Sequence, residues 1–238
     1  MMRSAAVWAL AFTVLASSAT VPAMGRGDSS AAVRFLSRDE PALTQYRAYR
    51  RMHARSERFN QEAWLEAWTE LDERGFRYEI VSERGSDKVR NKVLRAVLQR
   101  EHELIAGGQT GRGELSAENY EFAEAATHGD GVRYVLLKPK RKDVLLVDGR
   151  MVLSQDGREL LRVEGRLSKN PSFWTSLVNV IRHYARLDGV RVPISTETIA
   201  KVKLAGLSRL EVSYEYETIN GRPVSLTARR TLAAAIGR

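Results

Sequence analysis

The sequence predicts an α+β chain built on one large antiparallel sheet of roughly ten strands, curled over two or three helices. Three observations predict it. Short runs of alternating apolar and polar residues recur along most of the chain. Asp-Gly and Asn-Gly dipeptides, the turns that join antiparallel neighbours, stand between several of them. Helical periodicity is confined to two early segments.

Taken in order, residues 1–23 read as a signal peptide. Arg3 supplies the positive start, Ser4 to Ala16 an apolar run, and Ala19 or Ala23 a small-residue cleavage site. The run is too short to cross a hydrocarbon core of about 30 Å as a helix. Residues 24–40 read as a flexible Gly-, Ser- and Arg-rich leader, and residues 41–238 as a single domain. Pro41 after Asp39 and Glu40 marks a helix start, with Leu43, Tyr46, Tyr49 and Met52 at helical spacing to about Phe59. The other face of that helix would carry Arg47, Arg50, Arg51, Arg55 and Arg58.

From Gln61 the period changes to two. Ala63, Leu65, Ala67 and Leu71 alternate with Trp64, Glu66, Trp68 and Glu70, and a turn at 72–75 leads into Phe76, Tyr78 and Ile80. Ser86 and Asp87 open a second helix whose apolar stripe is Val89, Val93, Leu94, Val97, Leu98, Leu104 and Ile105, closed by Gly107 and Gly108. Strand-like runs follow at 120–125, 132–138, 144–147, 151–154, 160–167, 177–187, 190–194 and 196–204. Leu210, Val212, Tyr214 and Tyr216 make the last clear alternation, and 226–237 a short tail. Turns are expected at Asp148-Gly149, Asp156-Gly157, Asp188-Gly189 and Asn220-Gly221.

Composition excludes some chemistry. With no cysteine, a disulfide framework, a thiolate metal site, a cysteine nucleophile and a lipoprotein acyl anchor are ruled out. The formal charge of +9, from 38 basic and 29 acidic residues, is spread along the chain and mixed in sign. That pattern favours a solvated surface over a nucleic-acid patch. His53, His102, His128 and His183 show no metal-ligand spacing, and the position four after His102 is Ala106. The glycine-rich stretch 106–113 follows a helix and lacks the Lys-Ser/Thr step of a phosphate loop, so it reads as a flexible loop. No catalytic residue, metal or cofactor is expected. Glu66 with Glu70, or Glu215 with Glu217, could in principle do acid/base work; a solvated strand face explains them more simply.

The aromatics say more. Trp64 and Trp68 oppose Ala63, Leu65 and Ala67, so that strand is greasy on both faces and needs cover on both. Either helices cover one face and a core the other, or one face lines an apolar cavity. The cavity candidates are Trp64, Trp68, Phe76, Tyr78, Leu94, Leu98, Phe173, Trp174, Tyr184, Tyr214 and Tyr216. Lys138, Lys140, Arg141 and Lys142 form the densest basic cluster, a candidate for an anionic headgroup or simply a charged loop.

Several stretches together resemble the LolA/LolB/RseB-like group. They are Trp64-Leu65-Glu66-Ala67-Trp68, Phe76-Arg77-Tyr78-Glu79, Lys138-Pro139, Leu146-Val147-Asp148-Gly149, Asn170-Pro171-Ser172-Phe173-Trp174, the run from Asp188 to Pro193, and Tyr214-Glu215-Tyr216. The resemblance spans about Arg50 to Val224 and matches no single position to the family's functional arginine. It implies an open half-barrel with helices as a lid, working in the periplasm as a non-enzymatic carrier or sensor of lipid or lipoprotein acyl chains. The alternatives are a structural or interaction module of an envelope complex with a filled core, and a carboxylate-dependent hydrolase.

Overall fold

The computed structural model describes residues 31–125, 131–173, 175–203 and 206–229. The expected signal peptide, most of the expected leader, His128, Trp174 and the end of the chain lie outside the described residues. The elements run α1 (Ala31–Leu36), β1 (Tyr46–Ser56), β2 (Gln61–Asp72), β3 (Gly75–Gly85), α2 (Asp87–Val89), a π-helical turn (Arg90–Leu94) and α3 (Arg95–Ala106). Then come β4 (Tyr120–Glu124), β5 (Val132–Pro139), β6 (Val147–Ser154), β7 (Leu160–Leu167), β8 (Thr175–Leu187), β9 (Val190–Val202), β10 (Gly206–Ile219) and β11 (Arg222–Pro223).

All strands belong to one 11-stranded sheet in the order β3-β2-β1-β10-β9-β8-β7-β6-β5-β4, with β11 beside β10. Every pairing is antiparallel. The sheet does not close: β3 and β4 are its edges. It curls, because Tyr120 on β4 and Tyr184 on β8 line one small cavity although three strands separate theirs in the sheet. At roughly 4.8 Å per strand a flat sheet would hold those residues almost 20 Å apart. The predicted fold class, an open curled antiparallel sheet with helices on its concave side, is the one observed.

The chain from Asp87 to Ala106 forms one covering helix, with the π-helical turn inside it. Its stripe of Val93, Leu94, Val97, Leu98 and Leu104 is buried. It packs on the concave side chains of β1, β2, β3 and β10, among them Met52, Leu65, Phe76, Val212 and Tyr214. A second apolar cluster joins Phe35 of α1 to Tyr120, Val135, Leu137, Met151 and Leu153 of β4, β5 and β6. Asp188 and Asn220 adopt φ of 48° ahead of Gly189 and Gly221, the left-handed geometry of two-residue hairpins.

Three elements differ from expectation. The helix expected from Leu43 to Phe59 is instead β1, whose inward set is Tyr46, Ala48, Arg50, Met52 and Ala54. Arg50 in the middle of that set hides the period of two. Asp148-Gly149 is no turn but lies within β6. Gly149 faces Gly165 so closely that a Cβ on it would sit 2.2 Å from the Glu164 carbonyl oxygen. The glycines serve strand contact rather than chain reversal. The runs expected at 190–194 and from 196 onward are one strand, β9 (Val190–Val202). The missing N–H of Pro193 is accommodated at a register shift against β8, just where the pairing of β9 with β10 ends at Ser195.

Candidate functional site

Among the inward-facing side chains of the sheet are arginines on β1 and β8. Arg50 is completely buried, and its guanidinium meets Glu101 of α3 end-on, at 2.5 Å from Nη1 to Oε2 and 2.9 Å from Nη2 to Oε1. Nη2 also donates to the Tyr46 hydroxyl at 2.7 Å. The rings of Tyr214 and Phe76 lie 4.8 and 5.3 Å from its Cζ. Burial alone would lower the Arg50 pKa, but the Glu101 carboxylate outweighs it and holds the guanidinium charged. Glu101 occupies the apolar stripe of the covering helix, one turn beyond Leu98, so this pair ties helix to sheet. His102 adds a second tie, with Nδ1 2.8 Å from the Phe76 carbonyl.

Arg182 differs. It projects from β8 between Val180 and Tyr184 and pairs in register with Thr196 of β9 and Val163 of β7. Among the described residues no carboxylate lies within ion-pair distance of it. The polar groups around it are the hydroxyls of Tyr184, with which its guanidinium hydrogen-bonds, and of Tyr214 and Tyr120. Buried hydrogen-bonding atoms gather on this part of the sheet: Arg50 Nε, Arg182 Nε, Thr198 Oγ1 and Ser208 Oγ have no partner among the described residues, and Thr196 Oγ1 and the Tyr214 hydroxyl have only each other. They form a polar seam across β1, β10, β9 and β8.

Beside Arg182 lies a cavity of about 20 Å³, lined also by Tyr120, Tyr184, Gly113, Leu115 and Leu145. Its roof is the glycine-rich loop after α3. That loop is fastened to the turn after β5. Arg112 donates to Asp143 at 2.6 Å, and Arg141 donates to Asn119 Oδ1 at 2.6 Å and to the Arg112 carbonyl at 2.9 Å. Lys140 donates to the Ala117 carbonyl at 2.6 Å. Burial would raise the Asp143 pKa, but Arg112 and the Leu145 N–H hold the carboxyl below its ordinary value.

The predicted cavity residues therefore divide. Phe76, Tyr78, Leu94, Leu98, Tyr214 and Tyr216 gather under the covering helix, and Tyr184 stands in the seam. Trp64 and Trp68 lie on the opposite, convex face. There Arg84 and Arg47 stack over them at 4.3 and 4.5 Å, and His53 lies flat on Trp64 at 4.7 Å. The greasy second face of β2 is thus covered by side chains of its neighbours rather than by another layer. Phe173 is 79% exposed in the loop before β8, with Lys203 Nζ 4.0 Å from its ring. Trp174 lies outside the described residues.

Of the headgroup candidates, Lys138 pairs with Glu121, Lys140 and Arg141 fasten the glycine loop, and Lys142 is exposed. The glutamate pairs also sit on the convex face. Glu66 accepts from Ser82 and Tyr49, which hold it below the usual carboxylate range, the reverse of what a general acid requires. Glu70 pairs with Arg77, Glu215 with Arg51 and Glu217 with Arg47. Among the described residues no group of three or more His, Asp or Glu gathers as a metal site, and no helix is long and apolar enough to cross a membrane.

Sequence reasoning missed Arg50, Glu101 and Arg182 as site residues. The signal was present in each case as a charge at an apolar-face position, such as Arg182 between Val180 and Tyr184.

The fold and the seam define an open antiparallel half-barrel with a helical cover and a polar strip inside its concavity. No family model matches the chain, and no curated protein matches it. Among solved structures, the crystal structure of a DUF1329 family protein from Desulfovibrio piger is similar over 78% of this chain and 88% of that one, at 10% identity and a TM-score of 0.35. At that score the likeness fixes neither fold nor function.

Proposed function

We propose that the chain is an exported, non-enzymatic binding protein that receives lipid or lipoprotein acyl chains on the concave face of its half-barrel. The observation that supports this reading is the seam. A finished core pairs its buried polar atoms, whereas here unpaired ones are concentrated on four adjacent strands between two apolar clusters. Such a surface suits a guest that is mostly apolar with a polar end. Each methylene taken from water contributes about 0.8 kcal/mol at best. The conformation described is a closed one, since a cavity of about 20 Å³ is far below the ~300 Å³ of a small ligand pocket. Entry requires the covering helix or the glycine loop to lift.

The closed interior favours a second reading, an envelope interaction module with a filled core. Its docking surface would be the groove of about 290 Å³ at Leu177, Ile199 and Leu207, on the convex face. One experiment separates the two. The chain has no cysteine, so a cysteine on α3 and one on β3 can lock the cover cleanly. The carrier reading expects saturable, displaceable binding of a fluorescent fatty acid that oxidation abolishes and reductant restores. No displaceable binding by the unlocked protein rejects it and leaves the filled module.

A further inference from the structure

The second inward arginine is the least explained charge in the molecule. A guanidinium stays protonated at any physiological pH. Placing it against a sheet interior without a counter-charge is unfavourable, and nature seldom leaves it so. Arg50 meets that requirement with Glu101. Arg182 does not: its Nε is closed off from solvent and unpartnered, though the residue as a whole keeps partial exposure. Its neighbours are hydroxyls. Burial pushes the Tyr120 phenol up to about 12, so it remains an O–H donor at neutral pH. Its oxygen already accepts from the Val147 N–H at 3.0 Å, leaving the proton available to another acceptor. Burial raises the Tyr214 phenol as well. A guanidinium and hydroxyl donors converging on a cavity of about 20 Å³, enough for about one water, make a donor-rich pocket without an acceptor of matching charge.

We infer that Arg182, with Tyr120 and Tyr184, is an anion subsite inside the half-barrel that takes the carboxylate or phosphate headgroup of an amphiphile, under the glycine loop as its roof. This rests on the acyl-chain reading and adds to it the charge of the guest. It also moves headgroup recognition from the basic turn at 138–142, which fastens the loop, to the sheet beneath. Gly113 and Leu115 roof the pocket, so the headgroup enters when that loop is displaced. A subsite arginine of this kind is expected to contribute little to stability, since its apolar replacement relieves a desolvated charge.

The test uses the full chain and four probes: dodecanoate, dodecyl phosphate, uncharged dodecanol and inorganic phosphate. Each is measured by calorimetry with the wild type, Arg182→Met and Arg182→Lys. The wild type is expected to prefer the two anionic amphiphiles over dodecanol by tenfold or more. Arg182→Met collapses that ratio towards one, Arg182→Lys restores part of it, and Arg182→Met melts no lower than the wild type. An unchanged ratio in Arg182→Met overturns the subsite while the acyl-chain reading stands. A clearly lower melting temperature for Arg182→Met assigns the arginine to the fold and overturns the subsite too. Arg182-dependent binding of inorganic phosphate without binding of any dodecyl probe keeps the anion site and rejects the acyl chain. Binding of no probe rejects both.

Discussion

The two ends of the concave face are closed in different ways. Over β1 to β3 the cover is a continuous helix, seated by an apolar stripe and one buried ion pair between Arg50 and Glu101. Over β4 to β8 the cover is α1 and a glycine-rich loop, fastened by Arg112 to Asp143 and by Arg141 to Asn119. Arg50 meets a carboxylate from the helix above it, and Arg186 and Arg191 at the α1 end meet Glu40, whereas no carboxylate among the described residues pairs with Arg182 beneath the glycine loop. The contrast separates two uses of an inward charge. One is satisfied within the chain and locks the parts together; the other is left for something outside the chain.

The largest effect is expected from breaking the lock. Glu101→Ala should cost about 3–5 kcal/mol, because it leaves the Arg50 charge buried and unpaired. Replacing both members, Arg50→Met with Glu101→Leu, should recover most of that loss, and urea unfolding of the three proteins measures it. Equal losses in the single and double variants would show that the pair is not the tie.

Next in size is the loop clamp. Asp143→Asn should cost about 1–2 kcal/mol through its charged hydrogen bonds and should loosen the loop. The pH dependence has a definite sign. The Asp143 carboxyl is held below its ordinary value, so the stability it contributes is present above about pH 4 and is lost as pH falls through the depressed folded value. Amide protection in residues 107–119 of the wild type, taken relative to the intrinsic exchange rate at each pH, should therefore fall in acid, while Asp143→Asn should be poorly protected already at neutral pH with little further change. A helix cover that loosens first in acid would reverse the comparison.

The smallest effect belongs to the convex face, which has neither kind of cover. Glu66→Gln removes an exposed partner of Tyr49 and Ser82, and thermal unfolding should change by no more than about 0.5 kcal/mol. A larger loss would mean that this face is shielded by something besides its own arginines.

Much of the fold was legible because most strands obey the period of two. The hairpin of Trp64 and Phe76, the stripe from Val89 to Ile105 and the Asn220-Gly221 turn all follow from local pattern. What escaped was where a functional or geometric demand overrode that pattern. Arg50, an inward charge, made β1 read as an amphipathic helix, since its neighbours Tyr46, Tyr49 and Met52 also fit a spacing of three. Gly149 reads as a turn residue because sequence cannot show that Gly165 lies against it. Trp64 and Trp68 read as cavity wall because their covering arginines come from β1 and β3, and strand register is a tertiary fact. The seam escaped for the same reason. Its atoms come from four strands, and only the sheet order brings them side by side.

A sheet that stops short of closure has a further consequence. The outer flanks of β3 and β4 pair with no other strand among the described residues, so each offers a row of backbone donors and acceptors to any extended segment nearby. The flank of β3 carries Glu79, Glu83 and Arg84 around the exposed Val81, and that of β4 carries Glu121 and Glu124. Exposed charge at a sheet edge disfavours pairing with a second copy. Neutralising those charges is expected to promote edge-to-edge polymerisation, long before it loosens the interior.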